Sequence, residues 1–381
     1  MASDTSLINE NDLISKSYAE SVSGGDSLAS QLRAAQLRSG RNPMSMVMEH
    51  WKLRRKIGRL TLQEYLLYNL YDDSLYDQAE KERFLSEGVH WPITNRCSDL
   101  SWRATTEDKW LSYQILHQFG IAVPKTLAII DSSGRSFGPD RRLENADQLS
   151  GFLRDLNTFP IFAKPNNSLG SFGAFVIQAF DNGVVHLDGG RRSTPQDLLD
   201  GMVAGNCYLL QEMIENHADI RKYAGAVATL RTMNLVENGK VTTPFTLFKI
   251  PVGNNIADNF WRKGNLLANV DRENGKILRV LRGKGPAVEE FNAHPATGQP
   301  LVGTYLPYWQ ELRQLNEDCA RLFAPVRYQS LDIAFTDAGP VVVEINSGGS
   351  FLLPQLASGR GFLTDEVHAF FAACGWQSAK A

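Results

Sequence analysis

Apolar positions recur at three- and four-residue spacings between residues 27 and 87: Leu28, Leu32 and Leu37, then the run from Met44 to Ile57, then Leu62, Tyr65, Leu66 and Leu70. That period gathers apolar side chains on one side of a helix and predicts a mainly helical N-terminal region. Thr61 followed by Glu64 has the spacing of a capping box and predicts a helix start there. The stretch before residue 27 is polar, rich in Ser, Asn and Asp, and ends at Gly24 and Gly25. It reads as a poorly ordered start of about 24 residues.

After Arg103 the pattern becomes an alternation of helices and strands. Thr105 and Asp108 open a predicted helix that runs to Gly120, and an apolar strand follows over 125–130. Another helix is predicted over 145–156. The string FPIFAKP is a short apolar strand ending in Lys164 and Pro165; the glycine- and serine-bearing loop 166–173 and a strand over 174–179 come next. Thr194 and Pro195 start a helix, and 207–213 is an apolar strand that finishes in acidic residues. From there the chain reads as hairpins. Asn238-Gly239 and Asn274-Gly275 each lie between alternating strands, the strongest short-range hairpin signal. A helix over 307–323 separates them from a last hairpin, SLDIAF-TDAG-PVVVEIN.

Composition narrows the class. A chain of 381 residues that is 43% hydrophobic is long enough for two or three packed domains. The formal net charge of -3 provides no global field for nucleic acid or an anionic membrane, so neither is an expected partner. Cys97, Cys207, Cys319 and Cys374 are scattered without a CxxC pair and read as reduced, mostly buried thiols. No apolar run approaches the roughly 18 residues of a membrane span, and the first residues lack the layout of a signal peptide. The expected location is the cytoplasm.

Candidate chemistry is concentrated at three places. In the last hairpin Asp332 lies on one strand, and Glu344 and Asn346 lie two residues apart, hence on one face, of the other. The turn over 336–340 brings Asp332 roughly opposite them, and three oxygen ligands at that spacing suit Mg²⁺. An acidic edge that resists strand pairing is the alternative. The second place is Lys164 with the loop after it, in which glycines would let backbone N–H groups approach phosphate oxygens. The loop lacks the GKS or GKT ending of a P-loop, and a strand rather than a helix follows it. The third is the strand end Leu210-Gln211-Glu212-Met213-Ile214-Glu215, whose acceptors could line a slot for a flat base. A basic cluster, Lys52, Arg54, Arg55, Lys56 and Arg59 beside Trp51, reads either as a solvated helix face or as an attractor of phosphate groups.

In chain order, Lys109 on a helix, Lys164 before a glycine loop, the QEMIE strand end, Arg231, then Asp332 and Glu344-x-Asn346 resemble the ATP-grasp superfamily over residues 105–371. The strings Ala228-Thr229-Leu230-Arg231-Thr232, Ala257-Asp258-Asn259-Phe260 and His294-Pro295-Ala296-Thr297-Gly298 look more specifically like its sugar-transfer-associated branch. Two departures from that branch are Phe248-Lys249-Ile250-Pro251 and Trp261-Arg262-Lys263-Gly264, at positions expected to face a variable substrate. The resemblance implies an α+β ATP-grasp fold, two subdomains clamping ATP. It divides the chain into a mainly helical region 1–104, a subdomain 105–206 with the phosphate lysines and lid, and a subdomain 207–381 with the hinge and metal site.

The resemblance also implies roles. Lys109 and Lys164 would contact phosphate; Ser168, Gly170, Ser171 and Gly173 would belong to the lid; Gln211, Glu212, Ile214 and Glu215 would surround the nucleoside. Asp332, Glu344 and Asn346 would hold Mg²⁺, two ions in relatives, with Mn²⁺ as a substitute. Arg231 would stabilise an acyl phosphate, and Asp258, Asn259, Lys263 and His294 would contact substrate or accept a proton. The implied reaction joins a small carboxylic acid to an amine with release of ADP and phosphate, in specialised-metabolite or glycan-related biosynthesis. A small-molecule kinase and a non-catalytic nucleotide-binding scaffold are the alternatives. A homodimer is a compatible assembly.

Overall fold

The computed structural model describes residues 27–167 and 173–376. The poorly ordered start expected before residue 25 and the lid residues Ser168, Gly170 and Ser171 lie outside the described residues. The chain forms two compact units: Met1–Arg96, Leu281–Glu290 and Ser350–Ala381 make one, and Cys97–Val280 and Phe291–Gly349 the other.

The first unit is helical, as the apolar spacing predicts. Its helices include α1 (Leu28–Ser39), α2 (Pro43–Arg54) and α3 (Leu62–Leu67). Asn42 caps α2, with Pro43 in the first turn, and the Thr61–Glu64 capping box starts α3. Gln355 ties the C-terminal segment into this unit: its amide donates to the Tyr68 hydroxyl and the Leu85 carbonyl, and its Oε1 accepts from the backbone N–H of Leu85.

The second unit is built on two sheets. The strands β1 (Thr126–Ile130), β2 (Arg142–Leu143), β3 (Ile161–Pro165), β4 (Phe175–Asp181), β5 (Val184–Leu187), β6 (Arg192–Ser193) and β7 (Tyr208–Glu212) pair in the order β2-β1-β7-β3-β4-β5-β6. The second sheet comprises β8 (Thr229–Glu237), β9 (Lys240–Ile250), β10 (Leu266–Val270), β11 (Ile277–Arg282), β13 (Tyr328–Thr336) and β14 (Gly339–Ser347), in the order β11-β10-β9-β8-β13-β14. The last residues of β11 pass into the first unit and pair there with β12 (Glu289–Glu290). No helix among the described residues is long and apolar enough to cross a membrane.

One helix differs from its predicted form. The segment read as continuous from residue 105 is broken at Asp108, whose backbone is extended at φ -87° and ψ 101° and whose carboxylate caps the N–H of Leu111. A new helix, α4 (Lys109–Gln118), begins there and puts Lys109 in its first position. The gain of a capped N-terminus outweighs continuity of the helical backbone. Helix α5 (Ala146–Asp155) starts at Asn145 as predicted.

Helix α6 (Trp309–Leu322) covers the rear face of the second sheet, where Leu230, Phe248, Leu331, Ile333 and Ile345 are buried with Leu312 and Cys319. One polar group is embedded in that contact. Asn316 is 3% exposed; its Oδ1 accepts from the Thr232 hydroxyl at 2.6 Å and the Asn234 amide at 2.8 Å, and its Nδ2 donates to Asn234 Oδ1 at 3.0 Å. Removing it strands two buried polar residues of β8. Asn316→Ala should therefore lower unfolding stability by about 2–4 kcal/mol, read by chemical denaturation; a loss below about 1 kcal/mol would show that the network adds nothing to sheet stability.

Candidate active site

The hairpin β13–β14 positions the acidic residues through an irregularity in its ladder. From the turn, Thr336 faces Gly339 and Ile333 faces Val342, a register that would continue by placing Asp332 opposite Val343. Instead the register shifts between Asp332 and Ile333, and Asp332 faces Glu344. Val343 is the extra residue of a β-bulge. Because side chains alternate across a strand, this one-residue shift brings Glu344 and Asn346 to the face of Asp332 rather than the opposite one.

A second bulge acts on β9. Next to the Asn238-Gly239 turn, Glu237 faces Lys240 and Leu235 faces Thr242, but beyond it Met233 faces Phe245 and Thr229 faces Lys249. The extra residue lies in Thr243-Pro244, and a proline, which has no N–H for the ladder, is characteristic of such a site. Lys249 is thereby turned to the face that carries Thr229 and Arg231. Asp332 faces Arg231 on the neighbouring strand.

On this face the charges are tightly paired. Arg231 donates to Asp332 through Nε at 2.8 Å and Nη2 at 2.6 Å, a bidentate geometry. Lys249 lies 3.2 Å from Asp332 and 3.2 Å from Asp258, and the Thr229 hydroxyl donates to Asp258. Burial pushes the Asp332 pKa up, but Arg231 and Lys249 outweigh it and hold the carboxyl down at about 2. Lys109 reaches Glu344 at 3.1 Å.

Lys164, at the end of β3, is 8% exposed and donates to the Tyr113 hydroxyl at 2.6 Å, which in turn donates to the Val343 carbonyl at 2.6 Å. The carbonyl of the bulged residue thus anchors the tyrosine that positions Lys164. Burial lowers the Lys164 pKa to about 8, against a smaller opposing pull from Glu344 and Asp332. Asn166 joins the start of the glycine loop to α4 by accepting from the N–H groups of Lys109 and Trp110.

A cavity of about 100 Å³ connects these groups to the end of β7. Its walls include Lys109, Lys164, Asp258 and Glu344 on one side, and Phe162, Gln211, Glu212, Met213 and Ile214 on the other. Of the residues singled out from sequence, the described structure brings together Lys109, Lys164, Gln211, Glu212, Ile214, Arg231, Asp258, Asp332, Glu344 and Asn346. Gly173, next to the cavity-lining Ala174, has φ +75°, and a Cβ there would lie 2.8 Å from the Tyr208 hydroxyl. Glu215 and Lys263 are exposed and do not line the cavity. Asn259 accepts from the N–H of Trp261, and His294 uses Nδ1 to accept from the N–H groups of Ala296 and Thr297. Burial lowers the His294 pKa, and the ring staples its own loop. His217 caps a short helix by accepting from the N–H of Asp219.

Sequence reasoning missed two residues here. Tyr113 gave no signal beyond its place on an amphipathic helix. Lys249 stands in a string that departs from the family pattern, and Pro244, inside a strand pattern, marks where the register flips.

The donor set fits a hard divalent cation. Asp332 and Glu344 supply anionic oxygens on one face, and the Asn346 Nδ2 is buried beside them without an acceptor. A half-turn of that amide presents its oxygen to the same space, where a cation would satisfy it. No group of three His, Cys, Asp or Glu suited to a metal exists among the described residues, so such an ion would depend on the amide and on ligand oxygens.

A search of curated protein sequences finds no match. Among solved structures, the chain is similar to N5-carboxyaminoimidazole ribonucleotide synthetase in its ADP complex (10% identity, 65% of this chain and 46% of that one, TM-score 0.38). It is also similar to the ATP-grasp ligase PsnB complexed with minimal precursor (13% identity, 72% and 63%, TM-score 0.37) and to D-alanine–D-alanine ligase from Bacillus anthracis (15% identity, 73% and 67%, TM-score 0.37). The chain thus spans less than two thirds of the first two of these proteins. Residues 94–369 match the model of one protein family. The chain belongs to the sugar-transfer associated ATP-grasp family.

Proposed function

We propose that this protein is an ATP-dependent ligase that joins a carboxylic acid to an amine through an acyl phosphate. The observation that carries the proposal is the charge cluster along the cavity and the adjoining sheet face: Lys109, Lys164, Arg231 and Lys249 interleaved with Asp258, Asp332 and Glu344. The other carboxylate of the cavity wall, Glu212, is paired with Lys125, so four cations against three carboxylates leave a surplus positive charge in a largely buried site, which suits a polyphosphate. Among the described residues no Cys, Ser or His lines the cavity, and the one hydroxyl that does, Thr229, is donated to Asp258. Chemistry in such a site rests on alignment and charge neutralisation rather than on a protein nucleophile.

In this reading the base lies between Phe162 and the Gln211–Ile214 strand end, and the phosphates run toward Lys109 and Lys164. Residues 105–206 then supply the phosphate lysines, and 207–381 supply the nucleoside wall and the acidic hairpin. A substrate carboxylate oxygen attacks the γ-phosphorus, the bond from that phosphorus to the β–γ bridging oxygen breaks, and ADP leaves. The amine then attacks the acyl carbon and loses a proton, and phosphate departs with one former carboxylate oxygen. Arg231 commits Nε and Nη2 to Asp332, so Nη1 is the edge available to a phosphoryl oxygen. Asp258, alone among the four proton-accepting or substrate-contact candidates, lines the cavity, and in this reading it receives the amine proton. Magnesium, when bound to Asp332, Glu344 and Asn346, would offset charge on the transferred phosphoryl group.

Glu344→Gln should reduce ADP formation more than about a hundredfold with the fold intact by circular dichroism; retained turnover would remove the hairpin from the chemistry. With an ¹⁸O-labelled carboxylic acid drawn from a panel of acids and amines, one label should appear in released phosphate. A stable phosphoester with no released phosphate would instead establish a kinase.

Lys164 provides a pH test. Its pKa of about 8 in the folded chain lies below the ordinary lysine value of 10.5. The unfolded chain therefore binds more protons between these values, and stability rises with pH across that window. Polyphosphate needs the charged form, so the Kd for ATP should rise roughly tenfold between pH 7 and 9 by calorimetry, with proton uptake on binding. Lys164→Met should bind weakly and without that dependence. A flat profile in the wild type would contradict the placement of Lys164 on phosphate.

A further inference from the structure

The basic segment around Trp51 lies in the helical unit. Along α2, Met44, Met48 and Trp51 are each more than half exposed, at 67%, 60% and 53%. Their spacing, continued by Arg55, places them in one stripe about 16 Å long on the helix surface. Solvated helix faces are polar; a run of large exposed apolar side chains at this spacing is a surface that excludes water when something covers it.

The stripe borders a cavity of about 590 Å³ lined by Val47, His50, Trp51, Arg54, Arg59 and Leu62, together with Thr61. Its walls are apolar through Val47, Leu62 and the indole, and its rim is cationic. Lys56 pairs with Glu82, but Lys52, Arg54, Arg55 and Arg59 have no carboxylate partner among the described residues. Arg55 instead stacks on the Trp51 ring, with its guanidinium carbon 3.3 Å from the centroid. Arg59 adopts φ +49°, a conformation uncommon outside glycine, at the end of the connection that closes the cavity. His50 uses Nε2 on the Leu60 carbonyl at 3.0 Å and is thereby committed to the cavity wall.

We propose that this groove is a docking site for an acidic polypeptide segment that inserts an apolar side chain between Trp51, Val47 and Leu62 and places carboxylates on Arg54 and Arg59. Three features select this ligand class. The cavity is much larger than an inorganic anion, and its floor is apolar, so the ligand has an apolar body. The exposed stripe extends the contact well beyond the cavity, so the ligand is extended. The recess lined by Val47, Trp51 and Leu62 takes a single inserted side chain, which a peptide supplies, whereas a bilayer would engage only protruding groups such as Met44 and Met48. Unpaired cations at the rim would supply charge complementarity and a salt-dependent association rate.

The test uses the full chain and a random dodecapeptide library displayed on phage, selected at low salt. Enriched sequences should carry at least two Asp or Glu residues beside Leu, Phe or Trp. Synthetic versions should bind about tenfold more weakly to Arg54→Glu/Arg59→Glu and to Trp51→Ala, and more weakly at 0.5 M than at 0.05 M salt for the wild type. These side chains are exposed, so each variant should retain the wild-type circular dichroism spectrum and melting temperature. Failure to enrich any peptide whose binding depends on both Trp51 and the arginines would overturn the proposal. Binding of the wild type to phosphatidylcholine–phosphatidylglycerol vesicles, lost in the same variants, would overturn it in favour of a membrane surface.

Discussion

The site depends on two β-bulges that place opposite charges on one face of one sheet. In β14 the extra residue Val343 turns Glu344 and Asn346 toward Asp332; in β9 the extra residue in Thr243-Pro244 turns Lys249 toward the same carboxylate. Had either ladder run in the register of its turn, the side chain concerned would point to the rear face, among Leu230, Ile333 and Ile345 under α6. A buried unpaired carboxylate or ammonium there would cost several kcal/mol. Local irregularity and global packing therefore select the same register, and the irregularity is where the opposite charges meet.

The charge cluster so formed is both stabilising and primed. Arg231 and Lys249 hold Asp332 ionised in surroundings that alone would favour its neutral form. Lys164 lacks a comparable partner: its ammonium faces a tyrosine hydroxyl and is pushed toward neutrality by burial. The same low polarity that strengthens the Asp332 pairs thus leaves a lysine that gains most when an anion arrives. The carbonyl of Val343 links the two halves of this arrangement, since the bulge that aims Glu344 also anchors Tyr113.

Much of this was legible in the sequence. Helical spacing in the first unit, the capping box at Thr61, the Asn238-Gly239 hairpin and the strand–loop–strand around Lys164 all follow from short-range chemistry that acts within a few residues. Asp332 opposite Glu344 was also anticipated, but through a turn whose simple register would have separated them; the bulge at Val343 leaves no mark in composition. Lys249 was invisible for the same reason, although Pro244 marked the place. Asn259, His294 and Lys263 carried suggestive motifs, yet none of the three lines the cavity: Asn259 and the Nδ1 of His294 bond within their own loops, and Lys263 is exposed. Motif order conveys which residues belong together; strand register, set by packing over tens of residues, decides which of them face one another.

The central claim is that this face is a polyphosphate site with surplus positive charge. Calorimetric titration with adenosine, AMP, ADP and ATP in the presence of magnesium tests it most directly. The account predicts affinity that increases with each added phosphate and adenosine binding at least about a hundredfold weaker than ATP. Adenosine binding as tightly as ATP would contradict it.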